Sequence, residues 1–174
     1  MKKIVLLVAA SAMCLVFYSC LKKNDECRFT DLNIKAPDAE VARVEAYLDS
    51  VGITNATKDP AGFSYIIQDS GSSGSSPDVC SIISVKYTGM LANGSIFDKT
   101  TESAAVFQLG QLIAGWQKGL PYIKPGGKMR LFIPPSLGYG YQDVTRGDNQ
   151  GNVIVVVPAN SLLIFDLELV GVQQ

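Results

Sequence analysis

The stretch LGQLIAGWQKGLPYI, residues Leu109–Ile123, contains Trp116, the only tryptophan of the 174-residue chain. Leu112, Trp116 and Leu120 recur every four residues, which predicts one stripe on a short helix. A glycine precedes Leu112–Ile113 and another precedes Trp116, as expected where a helix backbone must approach another element closely. Two interpretations remain open: Trp116 is an ordinary core anchor, or it belongs to a site.

Alternating apolar and polar residues on both sides of this stretch predict β-strands. The turn Leu91-Ala92-Asn93-Gly94 is typical of a tight antiparallel hairpin, whereas Ser70–Ser76 predicts a long surface loop. The fold class is therefore α+β, with the short helix covering the apolar face of an antiparallel sheet. Asp166 and Glu168 fall on the opposite face and are expected to be solvated. The predicted strands are Gly62–Asp69, Ser81–Met90, Ser95–Asp98, Val106–Leu109, Lys128–Ile133 and Leu162–Val170.

The chain before this domain divides into three parts. Residues 1–19 have two lysines and then an uncharged run, which is typical of an export signal. The sequence Ser19-Cys20 resembles a bacterial lipoprotein cleavage box with Cys20 as the lipidated residue; Cys14 is a weaker candidate, and a cleaved signal with an incidental Cys20 is the alternative. Residues 20–61 then provide a tether and a helix, and residues 62–174 form the domain.

The tether is Leu21–Lys35, which is polar and irregular. Pro37–Val51 follows as a predicted amphipathic helix. This N-terminal extension is expected to pack on its own domain, with dimerisation as the alternative use. Its apolar stripe is Val41, Val44, Leu48 and Val51.

Composition excludes several classes of function. The chain has no histidine and no closely spaced cysteine pair, so no metal site and no histidine-dependent catalysis are expected; no cofactor is predicted. A net charge of −1 and an isoelectric point near 5.4 argue against nucleic acid as a partner. Cys27 and Cys80 remain after export, and sequence leaves open whether they pair in a compartment that permits disulfides.

Six short fragments occur in order along the second half of the chain: Tyr87-Thr88-Gly89, Phe97-Asp98, Leu109-Gly110, Ile113-x-Gly115-Trp116-x-x-Gly119-Leu120, Gly138-Tyr139-Gly140 and Leu163-Ile164-Phe165-Asp166-x-Glu168-Leu169. Together they resemble the FKBP-type peptidyl-prolyl isomerases over about Gly62–Gln174. The resemblance implies a twisted antiparallel sheet wrapped around one short helix. It also implies catalysed rotation about X–Pro amide bonds, which needs neither a nucleophile nor a base.

The resemblance also assigns roles by position. Trp116 would form the floor of an apolar pocket for the prolyl ring. The Ile113 N–H and the Tyr139 hydroxyl would bond substrate carbonyls, and Asp98 would orient polar groups at the rim, unless it is only a turn cap. The walls would be Tyr87, Phe97, Leu112, Ile113 and Phe165. Expected partners are unfolded, proline-containing exported polypeptides, a macrolide of the kind that occupies family pockets, and a membrane through the lipid anchor.

Two departures from the family pattern affect the site. Ala105 stands where the family often has an aromatic wall, and Tyr141–Val157 is longer than in the simplest members. The longer segment predicts an extra hairpin that either supplies a wall through Val157 or binds partners. Two alternatives to the isomerase follow: a catalytically weak binding module or chaperone, and a purely structural envelope lipoprotein with a filled groove. The expected location is a Gram-negative cell envelope, at the outer membrane facing the periplasm or the exterior.

Overall fold

A computed structural model describes residues 27–148 and 150–174, and most of this part of the chain is antiparallel sheet. The predicted signal peptide, Cys14 and Cys20 lie outside the described residues. Neither described helix is long and apolar enough to cross a membrane. The helices are α1 Asp38–Ser50 and α2 Ala114–Gly119, and the strands are β1 Thr57–Lys58, β2 Ser64–Asp69, β3 Ile82–Leu91, β4 Ile96–Lys99, β5 Ala105–Gln108, β6 Lys128–Ile133, β7 Val144–Gly147, β8 Val153–Val157 and β9 Leu163–Gln173.

The main sheet has the strand order β1-β2-β6-β9-β3-β4, with β5 also paired to β3. Its centre is the long antiparallel pair β3 and β9, which runs from Ile82 opposite Gln173 to Leu91 opposite Leu163. The α+β fold class is confirmed. The predicted bounds of β6 are confirmed, and the other predicted strands end within three residues of the observed ones, where turns and bulges rather than side-chain alternation end the pairing.

Helix α2 lies against the inner face of the sheet, and its glycines let it lie unusually close. A Cβ atom added to Gly115 would lie 2.6 Å from the Cδ1 atom of Ile133, and one added to Gly119 would lie 2.8 Å from the Cδ2 atom of Leu131. Both partners lie on β6 and are fully buried. The predicted close approach of the helix backbone is thereby confirmed, and it places Trp116 over the centre of the sheet.

The predicted stripe of Leu112, Trp116 and Leu120 is wrong for its first member. Trp116 and Leu120 are buried, but Leu112 precedes α2 and is only half-buried. The backbone is extended at both Leu112 and Ile113, because a short 3-10 turn over Leu109–Gln111 ends before the helix starts. Side-chain spacing alone cannot separate one continuous helix from a turn followed by a shorter helix.

Helix α1 covers the outer face of the sheet. Its Val44 and Leu48 are buried with Phe132 of β6 and Ile164 of β9 in a second hydrophobic cluster. The expectation that this helix packs on its own domain is thus confirmed within the described residues. Val51 is a correction: it is 49% exposed, because the helix ends at Ser50 and the chain turns away.

Residues 27–36, here called the N-terminal strap, are irregular but attached to the domain. Cys27 forms a disulfide with Cys80, with the two Cα atoms 5.6 Å apart. A Cβ atom on Gly110 would overlap the Phe29 ring, so the strap packs on the turn before α2. The Ala36 N–H donates to the Ala61 carbonyl at 2.8 Å. The predicted tether is therefore irregular as expected, but from Cys27 onward it is attached to the domain.

The carboxylates on the outer face of β9 are paired rather than merely solvated, which corrects the prediction. Asp166 accepts two hydrogen bonds from the Arg130 guanidinium, at 2.6 and 2.7 Å. Those bonds raise the pKa of Arg130. Glu168 lies 3.6 Å from the Lys128 ammonium. Both pairs join residues directly opposite each other on β6 and β9, a long-range register that sequence alternation does not reveal.

The predicted extra hairpin within Tyr141–Val157 is confirmed as β7 and β8. Its outer part carries exposed valines, with Val153 at 74% and Val155 at 51% exposure. Its inner end is different, since Val157 is 1% exposed and belongs to the main core. The hairpin is therefore anchored at one end and extends away from the domain at the other.

Replacing Gly115 by alanine is expected to destabilise the domain. The new methyl group would collide with the fully buried Ile133 side chain, and overpacking of this kind costs about 1–3 kcal/mol. Urea unfolding followed by Trp116 fluorescence measures the loss as a lower midpoint. Gly147→Ala is the matched control, because its Cβ atom would meet nothing within 4 Å. Equal midpoints for the two variants would contradict the close packing of α2.

Candidate active site

A cavity of about 220 Å³ opens above the N-terminal end of α2. It brings together most of the site residues that the sequence predicts. A larger depression of about 590 Å³ lies beneath the N-terminal strap and contains none of them. The smaller cavity is the candidate site because residues from five separate parts of the chain converge there. It is lined by Tyr87, Asp98, Phe107, Gln111, Leu112, Ile113, Trp116, Tyr139 and Phe165.

The Trp116 indole forms the base of this cavity, and other rings stand nearly perpendicular to it. The Tyr87 ring lies 5.3 Å from the indole at an angle of 80°, and the Phe165 ring lies 5.2 Å from it at 86°. Phe107 lies 6.4 Å away at 81°. Edge-to-face contacts of this kind are favourable for aromatic pairs. They also fix the rings as walls around a flat apolar floor.

Burial of the Trp116 indole N–H has a free-energy cost that the packing of the ring does not explain. Trp116 is only 4% exposed, and its Nε1–H finds no acceptor among the described residues. A buried donor without a partner costs about 1–3 kcal/mol. A phenylalanine would supply an aromatic floor without that donor.

The rim of the cavity carries one fixed polar pair. The Tyr87 hydroxyl donates to Asp98 Oδ2 at 2.6 Å, and the Lys99 N–H donates to Asp98 Oδ1 at 2.9 Å. Burial, the hydrogen bond and the Asp98 charge all raise the pKa of Tyr87. The phenol therefore stays protonated, and its proton is committed to Asp98. Asp98 lines the cavity, and the Lys99 N–H that it accepts from lies on the same strand β4, so the carboxylate is at the rim and does not cap a turn.

Tyr139 lines the same cavity. Tyr139 is 42% exposed, and its ring lies edge-on to Phe97 at 6.2 Å. Within residues 27–148 and 150–174, its hydroxyl has no hydrogen-bond partner. Burial and the Asp98 charge raise the pKa of Tyr139, so this phenol also stays protonated. It is thus available to donate a hydrogen bond to a bound molecule.

A second donor is the backbone N–H of Ile113, and Gln117 fixes its surroundings. Ile113 precedes the first turn of α2, and in the described part of the chain its N–H has no acceptor. The buried Gln117 amide donates to the Leu112 carbonyl at 2.7 Å and to the Gly110 carbonyl at 3.2 Å. It thereby links the helix to the strand-like segment before it. Sequence reasoning missed Gln117, because a polar residue on a short helix is usually exposed.

Two predicted site residues lie behind the cavity lining. Phe97 packs edge-on against Phe165 at 5.6 Å, and it is close to Gly89, where a Cβ atom would collide with both rings. Val157 is a correction, because it is buried in the core and does not line the cavity. Val157 pairs with Val144 at the base of the hairpin, which turns its side chain inward.

Phe107 and Gln111 line the cavity but were not predicted. Phe107 lies two residues after Ala105 on β5, so both project from the same side of that strand. Alternation along the strand was the signal that could have identified it. Ala105 brings only a methyl group to that side. Among the described residues, no group of three or more side chains is arranged to hold a metal ion.

Residues 74–170 match the family model described as FKBP-type peptidyl-prolyl cis-trans isomerase. This chain belongs to that family. The match includes β3 to β8 and most of β9, and with them every residue that lines the cavity. The resemblance of the six sequence fragments is thereby confirmed, as is the fold that it implied.

This FKBP-family chain is also similar to individual proteins and to a solved structure. It is 40% identical over 119 residues to the isomerase FkpA of Buchnera aphidicola subsp. Schizaphis graminum, which covers 67% of this chain and 43% of the relative. It is 34% identical to the outer membrane protein MIP of Legionella longbeachae, covering 66% and 46%. The crystal structure of FkpA from Escherichia coli superposes with a TM-score of 0.63 at 32% identity, covering 78% of this chain and 60% of that one. The chain therefore spans less than half the length of these two sequence relatives.

Replacing Gln117 by leucine is expected to destabilise the junction before α2. The substitution keeps the apolar bulk but leaves the Leu112 and Gly110 carbonyls without their donor, a loss of about 1 kcal/mol. Urea unfolding measures the change in stability, and the Ile113 amide resonance in a nitrogen–proton correlation spectrum reports the local rearrangement. Lys118→Met is the control on the next position. An unshifted Ile113 resonance in the leucine variant would contradict the proposed link.

Proposed function

We propose that this protein is a peptidyl-prolyl cis-trans isomerase that accelerates X–Pro isomerisation in exported polypeptides during folding. One observation carries the proposal: an open apolar cavity has an indole floor, and at its edge are two hydrogen-bond donors without a partner among the described residues, the Ile113 N–H and the Tyr139 hydroxyl. The open cavity also argues against the purely structural lipoprotein, which requires a filled groove.

The reaction suits an apolar cavity because no covalent bond is broken. The barrier to rotation about a peptide bond is about 18–20 kcal/mol, and uncatalysed X–Pro exchange takes tens to hundreds of seconds. At the midpoint of the rotation the amide loses its resonance and its carbonyl leaves the plane. A site that binds this twisted form better than either planar isomer lowers the barrier.

Each lining group has a role in this mechanism. The prolyl ring would lie on Trp116, between the perpendicular rings of Tyr87, Phe107 and Phe165. Exclusion of water by these rings favours the twisted amide, whose dipole is smaller than that of the planar form. The Ile113 N–H and the Tyr139 hydroxyl would hold carbonyls of the substrate. Two such bonds at about 0.5–1.5 kcal/mol each correspond to about a five- to 150-fold acceleration if they form mainly in the transition state.

The second candidate is an FKBP-like binding module or chaperone. Ala105 supports it, because the family often has an aromatic wall at this position, and a methyl group beside Phe107 would leave the cavity wider on that side. A wider cavity still binds a prolyl segment but restrains the rotating amide less. Binding and turnover must therefore be measured separately.

A peptide exchange assay tests the isomerase. The chain without residues 1–20 is expected to accelerate cis/trans exchange of a short X–Pro peptide, and Trp116→Leu is expected to lower kcat/KM at least tenfold because the floor of the cavity is lost. Phe132→Leu is the matched control, since it makes the same kind of truncation under α1, away from the cavity. Circular dichroism verifies that both variants fold.

Three results of this assay have different meanings. Turnover that is lost in the Trp116 variant and retained in the control supports the isomerase. Peptide binding without accelerated exchange supports the binding module instead. Failure to bind either the peptide or a macrolide of the kind that occupies family pockets would overturn both the isomerase and the binding module.

We also propose that the protein is lipid-anchored at Cys20 in the cell envelope, at the outer membrane. Three observations support export: the charged and then apolar residues 1–19, the Ser19-Cys20 step, and the disulfide between Cys27 and Cys80, since disulfides persist mainly in oxidising compartments. The relative named outer membrane protein MIP also supports an envelope location. The clients would then be proline-containing polypeptides that emerge into that compartment.

Labelling with radioactive palmitate tests the anchor. The full-length chain expressed in a Gram-negative host is expected to incorporate the label and to remain with the membrane fraction, whereas Cys20→Ser is expected to do neither. Cys14→Ser is the control and is expected to behave like the original chain. Loss of label in the Cys14 variant, or equal labelling of the Cys20 variant, would contradict the assignment.

A further inference from the structure

Glu40 of helix α1 is a buried carboxylate that the apolar packing of this helix does not explain. It is 4% exposed and lies one turn before Val44, on the face of the helix that meets the sheet. Its Oε2 atom accepts hydrogen bonds from the Ser136 N–H at 2.9 Å and from the Ser136 hydroxyl at 2.8 Å. Its Oε1 atom accepts one from the Tyr141 hydroxyl at 2.5 Å.

These bonds hold both ends of one short segment of chain. Ser136 and Tyr141 flank Tyr139, which lines the cavity. Inside the segment, the Gly140 N–H donates to the Pro135 carbonyl at 2.8 Å, and the Asn160 N–H donates to the Gly140 carbonyl at 3.0 Å. One carboxylate on α1 therefore sets where the loop that carries Tyr139 begins and where it ends.

Stability alone is a weak reason for a carboxylate at this position. Val44 and Leu48 already attach α1 to the sheet, so the apolar packing of the helix does not require a carboxylate beside them. What an apolar residue cannot do is accept hydrogen bonds from two separate points of a loop at once. Glu40 also lies before residue 74, where the family match begins, so the contact comes from a part of this chain outside the matched region.

We propose that Glu40 is a positioning residue for Tyr139, through which helix α1 fixes the phenol at the edge of the candidate site. The inference rests on the proposed binding of an X–Pro segment in the cavity. Glu40 does not touch the cavity lining itself. It acts by holding Ser136 and Tyr141, so that the hydroxyl of Tyr139 stays within reach of a substrate carbonyl.

The first test compares two glutamates of the same helix in the full-length chain, purified in mild detergent. Glu40→Gln keeps the shape of the side chain but leaves one oxygen, so one end of the loop loses its acceptor. It is expected to lower kcat/KM for an X–Pro peptide about five- to tenfold. Glu45→Gln is the control, because Glu45 is exposed and pairs with Lys58 on the surface. Its activity is expected to stay within twofold.

A double-mutant cycle with Tyr139→Phe separates positioning from simple stabilisation. If Glu40 acts through the Tyr139 hydroxyl, Glu40→Gln lowers kcat/KM in the original chain but changes it less than twofold when that hydroxyl is already absent. The change in urea midpoint is expected to be the same in both backgrounds. An equal loss of activity in both backgrounds would overturn the proposal.

Two further measurements keep the result decisive. Tyr141→Phe removes one hydroxyl from an exposed ring, and it replaces Glu40→Gln in the cycle if that variant folds poorly. The same coupling with Tyr139→Phe is expected. The cycle is also run on the affinity for the X–Pro peptide. A protein that binds the peptide without accelerating exchange overturns the proposed isomerase, while coupling in the affinities still supports the positioning role. Absence of coupling in an active enzyme overturns the positioning role alone.

Discussion

The close contact between helix α2 and strand β6 is the constraint on which the rest of the structure depends. Gly115 and Gly119 have no side chains, so the helix backbone lies directly on Ile133 and Leu131. At that distance no side chain fits between the helix and β6. Trp116, which follows Gly115, therefore turns toward the cavity. The Trp116 indole consequently becomes a floor, and the rings of the neighbouring strands become walls.

The site is assembled from both faces of the sheet. Its floor and walls come from the inner face, where α2, β3, β5 and β9 meet. The Tyr139 loop is held from the other side, because Glu40 lies on the helix that covers the outer face. The N-terminal strap adds a third attachment through Phe29 and the disulfide at Cys80. Segments outside the family match therefore support the region that contains the cavity.

Local patterns predicted the strands, the hairpin turn and the docking of α1, because alternation and helical spacing report directly on which face is buried. They failed where a contact is long-range. Asp166 alternates as an exposed residue should, yet Arg130 lies directly opposite it on another strand. Gln117 looks like a surface residue of a helix, yet it bonds carbonyls of the preceding turn. Leu112 keeps the helical spacing but lies before the helix begins.

The sequence by itself determined the fold class, the family and seven of the residues that line the cavity, because side-chain alternation, glycine positions and short fragments are properties of neighbouring residues. Only the tertiary structure decided which of the predicted walls face the cavity, that Val157 turns into the core, and that Glu40 reaches the Tyr139 loop. Those outcomes depend on the register between strands and on the distance between elements far apart in the chain, and no local pattern encodes either.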